Sequence, residues 1–300
     1  MSQTRPYKTG IALSGGGARG FAHAGALKAL EEAGIKIDII AGVSAGAVVS
    51  VLYSGGVRPD DMIHLFDNTG FTHLVDFRLG GGGLFNIDKF MRRVMRAIAP
   101  HKNLEDLKIP VYVCATDLNT AKTVTFDSGA ISPRVCASCS IPIIFKPVEI
   151  DGNYYVDGGV LQNLPARVIR DKCETLIGIN VSPISPYKTA GSLIDVAVRS
   201  YNLMAKANQQ LDMDVCDMVV ETHEISQYRV FNLKEIQQVF NAGYINMRSA
   251  LRKAGWWGPD KEDTISINQS KTSPDENLGS EKDDTDIKTA EKEQSRSAEP

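Results

Sequence analysis

Ile39-Ile40-Ala41-Gly42-Val43-Ser44-Ala45-Gly46-Ala47-Val48-Val49 reads as a short apolar strand, a one-residue corner and a helix. Ser44 is the corner, with Gly42 two residues before it and Gly46 two after, the G-x-S-x-G spacing of a nucleophile elbow. A strand that turns into a helix within one residue brings two backbones together, and side chains at the flanking positions would collide. The serine hydroxyl then projects from the end of a sheet at the positive end of a helix dipole, where a developing negative charge is favoured. The simpler reading is a serine N-cap on a turn.

Working outward, Thr9 to Ser14 is an apolar strand that runs into Gly15-Gly16-Gly17-Ala18-Arg19-Gly20, and a helix follows from Phe21 to Ala33. The second strand is Asp38 to Val43, followed by the elbow and a helix to about Tyr53. Another helix starts near Pro59. This strand–helix–strand–helix opening predicts an α/β fold with a mostly parallel sheet and helices on its faces. Further strands are expected at Ile109–Leu118, Lys122–Asp127, Thr175–Val181 and Asp217–Glu221. A hairpin turning at Asp151-Gly152-Asn153 leads into Asp157-Gly158-Gly159. Helices are expected at about Pro165–Lys172, Ser192–Leu211 and Lys234–Ala254. The four-glycine run Gly80 to Gly83 reads as a surface loop, with a lid or hinge as the functional alternative.

Composition bounds the function. Hydrophobic residues make up 43% of the 300, enough for a real core. The net charge of -3 points to no polyanionic partner such as nucleic acid. Five cysteines, an odd number, and a polar Met1 to Gly10 predict reduced thiols and a cytoplasmic protein. Cys136-x-x-Cys139 has no second pair to make a zinc site and reads as core filling. Lys89, Arg92, Arg93 and Arg96 fall at helical spacing beside Phe90, Met91, Val94, Met95 and Ile98. That stripe is either a solvated face of a core-packed helix or a peripheral contact with anionic lipid at the inner membrane face. From Pro259 the aromatics vanish and acidic residues outnumber basic ones roughly two to one, so residues 259–300 are expected to be a disordered acidic tail behind one domain spanning residues 8–256.

Gly15-x-Gly17-x-x-Gly20 also fits a dinucleotide fingerprint, but that reading wants an acid at the C-terminal end of the second strand. Ser44 stands there, and Asp38 is at the wrong end. Sequential parallel strands usually pair, which sets the glycine loop beside Ser44 as a row of bare amides. Such donors make an oxyanion hole, each worth about 2.7–4 kcal/mol in the transition state. Arg19 either holds the loop or meets an anionic head group. Of the five histidines, His23 is a packing or surface residue, and His64, His73 and His101 have no supporting motif. His223 follows the last strand in Ser…Asp…His order and is the alternative base. Asp157 is the stronger candidate, provided it is desolvated and within about 2.6–3.2 Å of the hydroxyl.

Taken together, Gly15 to Gly20, Gly42-Val43-Ser44-Ala45-Gly46, Ala137-Ser138-Cys139-Ser140-Ile141-Pro142 and Asp157-Gly158-Gly159, with Asn163 and Pro165 beyond, resemble the patatin-like phospholipases, especially the short bacterial members. Any one block is weak, but four in order are specific. The resemblance covers about Thr9 to Val181 and runs on more weakly to Ala254. It implies a three-layer α/β/α sandwich and calcium-independent hydrolysis of lipid acyl esters, with no metal or cofactor. It assigns Ser44 as nucleophile and Asp157 as proton acceptor in a Ser–Asp dyad. Gly15, Gly16, Gly17, Ala18, Arg19 and Gly20 then form the oxyanion hole. An acyl-lipid-binding regulatory protein and an acyltransferase are the rival readings on the same fold.

Overall fold

The computed structural model describes residues 5–66, 76–77, 83–184, 186 and 192–257. The strands are β1 (Tyr7–Leu13), β2 (Ile39–Val43), β3 (Asp76–Phe77), β4 (Gly83–Asn86), β5 (Val111–Asp117), β6 (Lys122–Phe126), β7 (Ile143–Phe145), β8 (Val148–Ile150), β9 (Asn153–Asp157), β10 (Cys173–Asn180) and β11 (Met218–Glu221). The helices are α1 (Phe21–Glu32), α2 (Ala45–Ser54), α3 (Pro59–His64), α4 (Asp88–Ala97), α5 (Ile131–Ser138), α6 (Leu193–Ala207), α7 (Gln210–Met213) and α8 (Ile236–Lys253). Residues 80–82 of the glycine run, His73 and the tail from 259 lie outside the described residues.

The main sheet has eight strands in the order β11-β10-β1-β2-β5-β9-β8, with β6 also paired to β5. From β11 to β5 every pairing is parallel; β6 and β9 run antiparallel to β5, and β8 antiparallel to β9. The expected mostly parallel sheet is therefore present, with an antiparallel margin on the β5 side. β3, β4 and β7 form a separate small sheet.

Side chains alternate along each strand, so one strand feeds two cores. Ile11, Leu13, Ile40, Ile177 and Ile179 face a large cluster that includes Leu27 and Leu30 of α1, Val51 and Leu52 of α2, and Phe240 and Met247 of α8. Ala12, Ile39, Ala41 and Leu176 face the opposite side, where the cover is slighter: a 3-10 turn at Ala166–Val168 with Met213, Val215 and Cys216. The result is a sheet sandwiched between helical layers of unequal depth. Helix α4 belongs to the thick layer, with Met91, Val94 and Ile98 fully buried and Lys89, Arg92 and Arg96 outside. Cys136 and Cys139 are buried in the same core as free thiols.

Two expected helices differ. The segment Pro165–Lys172 forms only the Ala166–Val168 turn: Ala166 and Ile169 pack with Ala12, Ile39, Ala41 and Leu176, and the Arg167 amide donates to the Asp212 carboxylate at 2.8 Å. The helix expected over Ser192–Leu211 breaks at Asn208. There the side chain leaves the helix to donate to the Gly159 and Val160 carbonyls at 2.9 and 3.1 Å and to accept from the Asn163 amide at 2.8 Å.

Candidate active site

Ser44 sits between β2 and α2 with φ 53° and ψ -121°, a positive-φ conformation that costs a non-glycine residue of order 1–3 kcal/mol. Its neighbours enforce it. A Cβ on Gly46 would lie 2.2 Å from the Leu13 carbonyl oxygen, and one on Gly42 would lie 2.6 Å from the Gly46 backbone. The helix thus starts in contact with both strands behind it. The Ser44 amide donates to the Ser138 hydroxyl at 2.8 Å, and that hydroxyl donates to the Cys114 carbonyl at 2.6 Å. Ser138 therefore pins the corner to β5.

Asp157 ends β9 and is fully buried. Val43 pairs with Cys114, so Ser44 comes level with Ala115, and Ala115 pairs with Asp157 on its other side. Ser44 and Asp157 therefore flank β5, with backbones roughly 10 Å apart at two strand spacings and a small alanine between them. The Asp157 Oδ1 accepts from the Gly159 amide and from the Tyr201 hydroxyl, both at 2.9 Å. Its own amide donates to the Ser140 carbonyl at 2.9 Å. Burial pushes the carboxyl up to about 6, against the lowering pull of hydrogen bonds from Gly159, Ser44 and Tyr201. The Ser44 hydroxyl is thus within the carboxylate's reach, yet Oδ2 has no hydrogen bond of full length and angle. Such contacts are often loose before substrate binds. Cys139 also touches the Ser44 hydroxyl, and burial raises its thiol well above the ordinary range, so it stays protonated.

The glycine loop lies against the serine: a Cβ on Gly15 would fall 3.3 Å from the Ser44 Cβ. Several of its amides are already engaged. Gly15 donates to the Asn163 carbonyl at 3.1 Å, Ala18 to Val230 at 2.7 Å and Arg19 to Gly16 at 3.2 Å. Among the described residues the amides of Gly16 and Gly17 have no acceptor. Arg19 fans its guanidinium over the carbonyls of Tyr228, Pro183 and Ser226 at 2.9, 3.0 and 3.1 Å. It holds the loop through three of its five N–H donors, each on a backbone carbonyl.

The histidines stand elsewhere. His23 is buried with Nε2 2.8 Å from the Ser14 carbonyl, and burial lowers it to about 4, so it is a neutral packing residue. His223 is exposed beside Glu221 at 3.7 Å, just past β11, three strands from β2 and so roughly 14 Å across the sheet. His64 is exposed and His101 half-buried, and neither lines the cleft described next.

Ser44 opens into a narrow apolar cleft with a cavity volume of about 130 Å³. Its walls include Val48 and Leu52 of α2, Met62 of α3, Phe90 of α4, Phe145 of β7 and Phe231. Gly17, Ala18 and Cys139 stand at the Ser44 end. Among the described residues no group of three or more His, Cys, Asp or Glu could hold a metal ion, and no helix is long and apolar enough to cross a membrane.

Known proteins place this arrangement. A sequence model of the patatin-like phospholipase family matches residues 11–169, and the chain belongs to that family. An uncharacterised NTE family protein of Mycobacterium tuberculosis is 35% identical over 190 residues, covering 61% of this chain and 52% of that protein. Patatin-like phospholipase domain-containing protein 6 of Mus musculus is 31% identical over 180 residues, 57% of this chain and 13% of that protein. The chain spans about half the length of the mycobacterial relatives. Among solved structures, VipD from Legionella pneumophila superposes with a TM-score of 0.48 at 16% identity, over 84% of this chain and 68% of that one.

The elbow, the glycine loop, the Ala137–Pro142 block and Asp157-Gly158-Gly159 meet at one spot, and His223 stands apart from it. Three residues there had no role assigned from the sequence: Ser138, quoted within the third block, and Tyr201 and Asn208. The last two carry one faint signal, a tyrosine and an asparagine seven residues apart on one face of a mostly exposed helix.

Proposed function

We propose that this chain hydrolyses acyl esters of lipids through an acyl-enzyme on Ser44, with Asp157 as the only base. One observation carries the reading: a buried carboxylate with one oxygen unclaimed stands level with a strained serine at the end of an apolar cleft. With its carboxyl near 6, Asp157 is largely ionised at neutral pH yet basic enough to take a proton.

Ser44 Oγ attacks the ester carbonyl while Asp157 Oδ2 takes its proton. The free amides of Gly16 and Gly17 receive the oxyanion, which narrows the six-residue loop to two donors. Collapse expels the alcohol, protonated by Asp157, and leaves the acyl group on Ser44 with its chain in the cleft. Water, deprotonated by the same carboxylate, attacks the ester, and Ser44 recovers its proton as the fatty acid leaves. An alcohol in place of water gives acyl transfer through the same intermediate. The substrate sits in membranes, so the reading includes peripheral contact with the bilayer from the cytoplasmic side.

A fluorophosphonate probe should label Ser44. Ser44→Ala and Asp157→Asn should each remove hydrolysis of a mixed lipid extract, read by mass spectrometry, while the fold persists. Activity retained in Asp157→Asn but lost in His223→Ala would replace the dyad with a triad. Lipid binding without turnover across a broad ester panel would leave a binding protein.

A further inference from the structure

Helix α6 is mostly exposed, with Leu193 at 80% and Leu203 at 50%, yet its Tyr201 is buried at 6%. The hydroxyl of that tyrosine ends on Asp157 Oδ1. With the Gly159 amide on the same oxygen, Oδ1 is saturated by two donors, and Oδ2 is left for Ser44. Seven residues on, Asn208 grips the carbonyls of Gly159 and Val160 and the amide of Asn163, so the helix is fastened to the turn after β9 at two points on one face. The second glycine of Asp157-Gly158-Gly159 is shaped by this clasp. A Cβ on Gly159 would lie 2.1 Å from the Tyr201 hydroxyl.

We propose that Tyr201 is a positioning residue, which holds the Asp157 carboxylate in the orientation and the ionised state in which it takes the Ser44 proton. The proposal rests on the reading of Asp157 as base. The groups facing that carboxylate are the Ser44 hydroxyl from the elbow, the Cys139 thiol from the end of α5, Tyr201 from α6 and the Gly159 amide. Among the described residues the groups that act on its ionisation are hydrogen-bond donors, with no charged side chain beside them. Those hydrogen bonds oppose burial, and a donor to the ionised form favours that form. Tyr201 remains a donor throughout, because burial and the neighbouring Asp157 raise its hydroxyl well above its ordinary value.

The test is the pH dependence of Ser44-dependent ester hydrolysis in wild type, Tyr201→Phe and Asp157→Asn. In parallel, the Asp157 carboxyl carbon is titrated by NMR in a Ser44→Ala background with and without Tyr201→Phe. In Tyr201→Phe the ascending limb of kcat/KM should move up by about one pH unit, giving a roughly fivefold loss at pH 6 that disappears by about pH 9. The carboxyl titration should move by the same amount. Gly159→Ala, which displaces the hydroxyl, should shift the limb in the same direction, and its effect should be less than additive with Tyr201→Phe. A Tyr201→Phe protein whose limb and titration coincide with wild type overturns the proposal and leaves Tyr201 a packing residue. Wild-type hydrolysis by Asp157→Asn overturns the base assignment and this proposal with it, and the carboxyl titration separates that failure from the first.

Discussion

The two ends of the candidate dyad are built by different means. The Ser44 end is built mainly by backbone sterics: a five-residue spacing, two glycines with no room for a side chain and a positive φ, with one distant hydrogen bond, from the Ser44 amide to Ser138. The Asp157 end is assembled from afar. Its amide is held by Ser140, its Oδ1 by Gly159 and Tyr201, and its turn by Asn208. A nucleophile can be fixed by backbone sterics because only its position matters. A base must also have its proton affinity set, and that takes polar partners from several elements.

That contrast can be broken first at Ser44. Ser44→Ala should lower ester hydrolysis by about 10³-fold or more, roughly 4 kcal/mol of transition-state stabilisation, and abolish fluorophosphonate labelling. Gly46→Ala tests the steric argument. It drives a methyl against the Leu13 carbonyl, so urea denaturation should show a loss of about 4 kcal/mol or failure to fold.

Asp157→Asn tests the other end by a different sign. The folded-state carboxyl near 6 lies above the unfolded value of about 3.9, so the folded protein holds the proton more tightly. Wild-type stability therefore falls as pH rises from about 4 to 6, and above 6 the whole cost is present, about 3 kcal/mol. Asp157→Asn should be more stable than wild type by up to that amount at pH 8 and about equal to it at pH 4, read from denaturation midpoints. Residual wild-type hydrolysis should rise with pH through about 6, where the carboxylate ionises.

Ser138→Ala sits between the two ends. It leaves the Ser44 amide and the Cys114 carbonyl without their shared hydroxyl and should cost about 1–3 kcal/mol, with a fall in kcat larger than the change in KM. His223→Ala should be the quietest, within about 0.5 kcal/mol in stability and without effect on kcat/KM, since the ring is exposed and three strands from β2.

The same contrast governs what the sequence discloses. Gly42, Gly46 and the loop from Gly15 to Gly20 are legible because short-range sterics need glycine at fixed offsets, and the parallel order of β1 and β2 follows from α1 between them. The role of Ser138 is not, because a serine at a helix end looks like any cap until its hydroxyl is seen to bridge β5 and the elbow. Tyr201 is invisible for a related reason. On an amphipathic helix an aromatic residue reads as packing, and nothing nearby in the chain announces the carboxylate it meets. The turn at Ala166–Val168 departs from the expected helix at a place where distant partners hold it, the Arg167 amide by Asp212 and the Ala166 side chain by the face of β1 and β2, which local periodicity does not reveal.

The pairing of β5 with β2 on one side and β9 on the other has a consequence for how the candidate site comes into being. The Ser44 hydroxyl and the Asp157 carboxyl come level only when both pairings have formed. The proposed dyad is therefore a property of the finished sheet, and a chain that has not yet joined these three strands holds its two halves apart.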